Sequence, residues 1–524
     1  MMVLTSRLLD EDDMRREILD SDRYHARDIY EHHIERRDVS GSPNNAAENT
    51  AAYWNNVAKV TLKAQLNKKM IENRAKNVIL FLGDGMSIPT LTATRLYQTQ
   101  KLGRTSGEES RLSFEEFPFI GLSKTYCVDR QVADSACSAT AYLCGVKANE
   151  GTIGVTAEVA RDECTSMNNQ SNHVDSVARW SQLAGKATGI VTTTRITHAS
   201  PSGAYAHTAE RDWESDADVE KAGMNATECL DIATQLIFGE TGRNFNVILG
   251  GGRRKFIPKD QNDEENKKGD RSDGINLIEE WQKLKAANNV RAEYVWHKKQ
   301  LLCLNPETEY VLGLFENDHL QYNLDADPET EPTLTELTEA AIEVLSKNPK
   351  GYFLFVEGGR IDHAHHDTKA QKALDETVQF SDAIRRAREI TNLEDTLIIV
   401  TSDHAHTMSL SGYPERGNNI LGIGGQARDK LPYSTLSYAN GPGFHKPDVD
   451  GSRHNISNDN MGDKNYEFPS LAPLNSETHG GDDVGIFASG PWAHLLVGVL
   501  EQNVIAHVIA YASCVGSGMT ACDS

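Results

Sequence analysis

Carboxylates and imidazoles gather in this chain into four short clusters. One apolar run ends at Gly83-Asp84-Gly85, and another at Glu357-Gly358-Gly359-Arg360-Ile361-Asp362-His363-Ala364-His365-His366. A third ends at Thr401-Ser402-Asp403-His404-Ala405-His406, and Glu477-Thr478-His479-Gly480-Gly481-Asp482 lies near a further apolar run. Imidazole nitrogen mixed with carboxylate oxygen is the donor set of borderline and hard divalent cations. Asp362 and His366 are four residues apart, so on a helical turn they share a face. Asp403 and His404 are adjacent and converge only where the backbone turns. A lone strand-end Asp is more often a helix cap, and a lone His a structural residue; four such clusters together point to bound metal.

Two residues beyond the clusters suit an anionic substrate. Asp134-Ser135-Ala136-Cys137-Ser138-Ala139 begins a run of small residues that reads as a helix start, with Ser135 in its first turn. Free N–H groups and the helix dipole favour an anion there, although Asp-Ser is also an ordinary N-cap. Beside metal ligands, a metal-activated serine alkoxide is the better reading. Arg211 could offer a bidentate fork to phosphate oxygens, or else form a surface ion pair. Gly250-Gly251-Gly252 lacks the spacing of a nucleotide-binding loop and reads as a tight turn.

Elements that could hold these residues alternate along the chain. Val78–Leu82, Thr188–Val191, Val247–Leu249, Tyr352–Val356, Thr396–Val400 and Val484–Phe487 read as buried strands. Ser138–Leu143, Ser171–Leu183, Thr333–Ser346 and Lys369–Ala387 read as helices between them, and Trp492–Cys514 as an amphipathic core helix. The expected fold is α/β, a large mostly parallel central sheet with helices on both faces. Such sheets place ligands at the carboxyl ends of their strands, where the clusters stand. Residues 1–50 read as a polar extension, 255–275 as loop, and 411–475 as a loop-rich surface insertion.

The chain has 524 residues, 39% hydrophobic and 7% aromatic, enough for a sizeable core. Lys plus Arg total 53 against 76 Asp plus Glu, a net charge of −23. That acidity disfavours nucleic acid and anionic membrane surfaces. The sequence shows no transmembrane run, secretory h-region or lipid-anchor tail. No CxxC pair occurs, and Cys514 and Cys522 bracket a Gly-Ser-Gly turn suited to a local disulfide. N-x-S/T acceptor sites stand at Asn169, Asn225 and Asn455.

Taken in order, Leu82-Gly83-Asp84-Gly85-Met86, Asp134-Ser135-Ala136, His198-Ala199-Ser200-Pro201, Val356-Glu357-Gly358-Gly359-Arg360-Ile361-Asp362-His363 and Glu477-Thr478-His479 resemble the animal alkaline phosphatases from about Trp54 to Cys522. The resemblance implies one catalytic domain over 51–524, with a crown-like insertion around 411–475 and a calcium-type loop subdomain around 253–332. It implies hydrolysis of phosphate monoesters through a phosphoserine at Ser135. One Zn²⁺ would be held by Asp362, His366 and His479, a second by Asp84, Asp403 and His404, and Mg²⁺ by Asp84, Ser200 and Glu357. Arg211 would bind phosphate; His198 and His363 would stand nearby, and His406 would orient its neighbours. A Ca²⁺ would be held by the Phe315 carbonyl, Glu316, Glu331 and Glu265. Disulfides would join Cys164 to Cys229 and Cys514 to Cys522, leaving Cys144 a free buried thiol and Cys127, Cys137 and Cys303 without a role. A homodimer and an extracellular or cell-surface location are further implications, with membrane attachment not encoded in the chain. Ser87 departs from the glycine usual in the family.

Two rival readings differ in chemistry. Phosphodiester or sulfate-ester hydrolysis would keep the fold, but Ser135-Ala136-Cys137-Ser138-Ala139 is not a C/S-x-P-x-R sulfatase motif. A non-catalytic binding protein would be expected to have lost a ligand, and none of the metal positions, Ser135 or Arg211 is lost.

Overall fold

The computed structural model describes residues 46–104, 106–447 and 451–522. The polar extension expected over 1–50 lies outside them as far as residue 45. The chain forms two compact units, one ending at Leu66 and one beginning at Asn67. The described part of the first is a 3-10 turn, Ala46–Asn49, and a helix, Ala51–Leu66, with no buried residue.

The second unit is built on a ten-stranded sheet: β1 Asn77–Gly83, β2 Phe119–Lys124, β3 Ala187–Arg195, β4 Val247–Gly251, β5 Ala292–Val295, β6 Tyr310–Leu314, β7 Tyr352–Gly358, β8 Thr396–Thr401, β9 Val484–Ser489 and β10 Gly498–Glu501. Their spatial order is β10-β2-β9-β8-β1-β7-β3-β4-β6-β5. Central strands are apolar at nearly every position because both faces are covered. Val78, Leu80 and Leu82 of β1 join one core with the Ser135–Cys144 and Val504–Ser513 helices. Ile79 and Phe81 join the other, with the Leu334–Leu345 and Ala370–Ile390 helices. The period-two alternation of a strand thus feeds two cores at once.

Strand direction positions the site. β1 is parallel to both β7 and β8, and β3 to β7. Leu82 pairs with Glu357 on one side and Thr401 on the other, so Asp84 and Asp403 leave the sheet at the same level. β9 is antiparallel to β8 and β2. It therefore enters where its neighbours leave, which carries the preceding residues 477–479 to that edge.

Two expectations need correction. Trp492–Cys514 is not one helix: a 3-10 turn, Ala493–Leu495, leads into β10, and the helix spans only Val504–Ser513. Trp492 (φ 61°) and Gly498 (φ 86°) are left-handed and break the helical path. The helix expected from Ser171 begins at Val177, where Ser176 caps it by accepting from the Arg179 N–H at 3.2 Å. The sequence does not announce β2, β5 and β6, because these short outer strands carry weaker apolar runs, and β10 falls within the expected Trp492–Cys514 helix.

The turn into β7 depends on Gly351, with φ +84°, where a Cβ would lie 2.0 Å from the Lys76 carbonyl oxygen. Gly351→Ala should destabilise the fold by more than about 1 kcal/mol, through clash and left-handed strain. Thermal unfolding checks this; an unchanged Tm would mean the turn relaxes freely.

Candidate metal centre and active site

β1, β3, β7 and β8 deliver their ends to one edge, and the side chains converge there. His404 is fully buried, and its Nε2 lies 3.1 Å from Ser135 Oγ, 3.1 Å from Asp403 Oδ2 and 3.4 Å from Asp84 Oδ1. Asp403 is oriented by its Oδ1, which accepts from the backbone N–H of Gly85 at 3.0 Å and of His404 at 2.9 Å. Gly85 has φ +66°, and a Cβ there would strike the His406 ring at 2.4 Å. Ser87 caps the Ile88–Lys101 helix by accepting from the Thr90 N–H, which accounts for a hydroxyl at that position.

A second group surrounds Asp362 on the short Arg360–His366 helix. His366 Nε2 approaches its Oδ2 at 3.4 Å; His479 Nε2 and His406 Nε2 approach Oδ1 at 3.5 and 2.6 Å. His366 and His479 meet at 3.1 Å between their Nε2 atoms. Their far nitrogens face the carbonyls of Glu477 (2.5 Å) and Ala133 (2.8 Å), which fixes ring orientation as for metal-bound imidazoles. His406 bridges Asp362 and Glu477 Oε2, the latter at 2.5 Å, and these carboxylates raise it to about 10 despite its burial.

Glu357 and Ser200 stand on the other side of Asp84. Ser200 Oγ donates to Asp84 Oδ2 at 3.5 Å, and Thr192 Oγ1 donates to Glu357 Oε2 at 2.5 Å. Burial raises Glu357 to about 7. Burial, then the neighbouring Asp403, Asp362 and Glu357, pushes Asp84 well above the carboxylate range.

The edge is thus overloaded with anions: Asp84, Glu357, Asp362 and Asp403 are all nearly inaccessible to water. Asp84 Oδ1, Asp403 Oδ2 and Glu357 Oε1 make no hydrogen bond among the described residues. Burial drives His404 well below its usual range, so it is neutral and cannot be the counter-charge. Orphaned buried oxygens facing neutral imidazole are what cation binding would satisfy, and the donor set fits zinc and magnesium.

Ser135 is the first residue of the Ser135–Cys144 helix. Its neighbour Asp134 does more than cap: its carboxylate accepts from the N–H groups of Ala136 (3.2 Å), Cys137 (3.1 Å) and Gly151 (3.1 Å), and from Arg211 Nη1 at 3.0 Å. Burial opposes its ionisation, but Arg211 and these donors hold Asp134 below the usual carboxylate range. Arg211 is thereby tethered beside the serine, with His198 3.4 Å from its other terminal nitrogen. His198 and His363 lie 5.3 Å apart, edge to face. Between them and Arg195 stands His319, which sequence reasoning missed, 4.3 Å from His363 and 5.3 Å from His198. Only its proximity to the end of β6 could have drawn notice.

The remaining positions divide. Glu316 and Glu331 meet, and burial with that proximity raises Glu331 to about 8. Glu265 instead pairs with Arg253, and Glu316 with Lys267 at 3.2 Å; Phe315, last of the proposed group, is buried. Cys164–Cys229 and Cys514–Cys522 are disulfides and Cys144 is free and buried. Cys127 and Cys137, read as having no role, form a third disulfide; their spacing is no motif, and only the turn before the helix brings them together. Asn169, Asn225 and Asn455 are exposed. Among the described residues no helix is long and apolar enough to cross a membrane.

The sequence family described as alkaline phosphatase matches residues 75–515. The chain is 47% identical over 510 residues to the membrane-bound alkaline phosphatase of Bombyx mori, covering 96% of this chain and 92% of that protein. It is 48% identical to the tissue-nonspecific isozyme of alkaline phosphatase from Felis catus, covering 91% of each. The crystal structure of Thermus thermophilus alkaline phosphatase superposes with a TM-score of 0.61 at 22% identity, over 87% of this chain and 96% of that one, a likeness of fold.

The Cys127–Cys137 disulfide closes the loop that carries Asp134 and Ser135, across a sequence separation of 10. Replacing both cysteines with serine should cost about 3 kcal/mol by loop-closure entropy. The expected readouts are a lower Tm and a lower kcat/KM. Equal values in both proteins would show that the helix start holds the loop unaided.

Proposed function

The chain belongs to the alkaline phosphatase family, and on that footing we propose that it hydrolyses phosphate monoesters through a covalent phosphoserine at Ser135, assisted by two Zn²⁺ and one Mg²⁺. The observation that carries this reading is the convergence of Ser135 Oγ, Asp84 and Asp403 on one buried nitrogen of His404. Asp84, Asp403 and His404 would hold one zinc, Asp362, His366 and His479 the other, and Asp84, Ser200 and Glu357 the magnesium. When bound, these ions supply Lewis-acid activation of oxygen nucleophiles and leaving groups and neutralise phosphoryl charge.

The chain's own residues supply position and order. Ser135 Oγ loses its proton to solvent and attacks phosphorus; the Oγ–P bond forms as the ester P–O bond breaks, and the departing alkoxide takes up a proton. A water then attacks phosphorus from the vacated side, the Oγ–P bond breaks, and Ser135 regains its proton as phosphate leaves. Two in-line displacements give net retention at phosphorus. Arg211, steadied by Asp134, offers parallel N–H groups to equatorial phosphoryl oxygens. Asp134 takes the Ala136 and Cys137 N–H groups, so the start of the Ser135 helix favours the same charge through its dipole.

Membership of this family, together with the likeness to the membrane-bound alkaline phosphatase of Bombyx mori, supports placement at the cell surface. Three disulfides and three exposed glycosylation acceptors suit such an oxidising compartment. A homodimer and a calcium site at Phe315, Glu316 and Glu331 complete the proposal, with Glu265 as the remaining ligand only if it leaves Arg253.

Ser135→Ala should abolish the acid-stable phosphoenzyme trapped from labelled aryl phosphate and lower turnover by a factor on the order of 10³ or more. Full steady-state activity without phosphoserine would rule out this nucleophile. Chelation should remove activity, and Zn²⁺ with Mg²⁺ should restore it. Activity with aryl phosphate that survives exhaustive chelation would refute the metal assignment.

A further inference from the structure

One cluster of ligating side chains shares no residue with the catalytic edge. His445, His454 and Asp459 lie in the 411–475 insertion, and each offers a ligand atom within 4.8 Å of those of the other two. We propose that these three residues form a separate site for a borderline divalent cation such as Zn²⁺.

The donor chemistry is two imidazoles and one carboxylate, with further coordination positions left to water. His454 Nε2 lies 3.2 Å from both oxygens of Asp459. The Asp459 carboxylate is oriented from behind: Tyr466 Oη donates to its Oδ2 at 2.8 Å. Tyr466 packs edge-on against Phe468 at 5.0 Å, and Phe468 is fully buried. A core residue therefore anchors the carboxylate's partner, the arrangement by which outer groups fix metal ligands. The rings of His445 and His454 stack at 4.3 Å and 22°.

Metal bonds of about 2.0–2.2 Å require the two rings to fan apart from this stack. Both histidines reach solvent, so side-chain rotation can supply that movement. The bland alternative is an ion pair between His454 and Asp459 with His445 resting against it. The two differ in one respect: only the site retains metal. Such an ion would tie the residues after the Leu436–Gly441 strand to the Ile456–Asn458 turn, next to the acceptor Asn455.

The test is metal content of the full chain after equilibrium dialysis at matched free Zn²⁺ and saturating Mg²⁺, compared with His445→Gln and His454→Gln. The wild-type protein should hold one more Zn²⁺ per chain than either variant, with turnover of aryl phosphate equal in all three. Cu²⁺ added to the zinc-loaded protein should give an electron paramagnetic resonance signal with imidazole nitrogen coupling that both variants lose. Equal zinc content and unchanged copper spectra would overturn the site. If His454→Gln melts early or loses turnover, His445→Gln at the surface decides the question by the same two readouts. Neither readout depends on the catalytic proposal.

Discussion

A carboxylate withdrawn from water without a counter-charge is costly enough that an isolated one protonates instead. Asp84, Glu357 and Asp403 are withdrawn together at one sheet edge beside His404, which is neutral, whereas Asp362 has His406 as its counter-charge. Much of the surrounding architecture serves to hold these oxygens in place despite their repulsion. Gly85 and His404 N–H groups orient Asp403, Thr192 orients Glu357, and His406 bridges Asp362 to Glu477. A protein meeting only its own stability needs would place apolar groups there. Buried carboxylate oxygens left without hydrogen bonds, as at Asp84, Asp403 and Glu357, suit a site that binds cations.

The sheet makes this concentration possible. Parallel strands β1, β3, β7 and β8 release their chains at one level, and the reversed strand β9 brings His479 to the same place. Buried main-chain pairing on both sides of β1 leaves no freedom of register, so residues far apart in sequence meet within hydrogen-bonding distance. The net charge of −23 is compatible with a small anionic substrate for the same reason. Acids that would face the proposed cations do not repel it, whereas the rest of the acidic surface still disfavours bulky polyanions.

Legibility varied with how local each signal was. The Thr333–Ser346 reading falls on the caps of the Leu334–Leu345 helix, because a capping box announces itself within four residues. The central strands were readable as unbroken apolar runs. Trp492–Cys514 misled because its apolar residues suit a helix, while left-handed backbone at Trp492 and Gly498 and the free edge of β2 convert half of it to turn and strand. Asp134 looked like a cap and is one, but its grip on Arg211, 77 residues away, is invisible in a local window. His319 had no motif around it and joined the other histidines only through the placement of β6.

Sequence by itself determined the α/β class, the ordered motifs and the chemical character of the ligands, because those follow from residue type and short-range period. Tertiary structure alone decided which donors share a nitrogen, which carboxylate oxygens are left without hydrogen bonds, that Cys127 meets Cys137, and that His445 meets His454. Those are facts of distance between remote segments, set by strand register, direction and two-sided packing, and no local spacing encodes them.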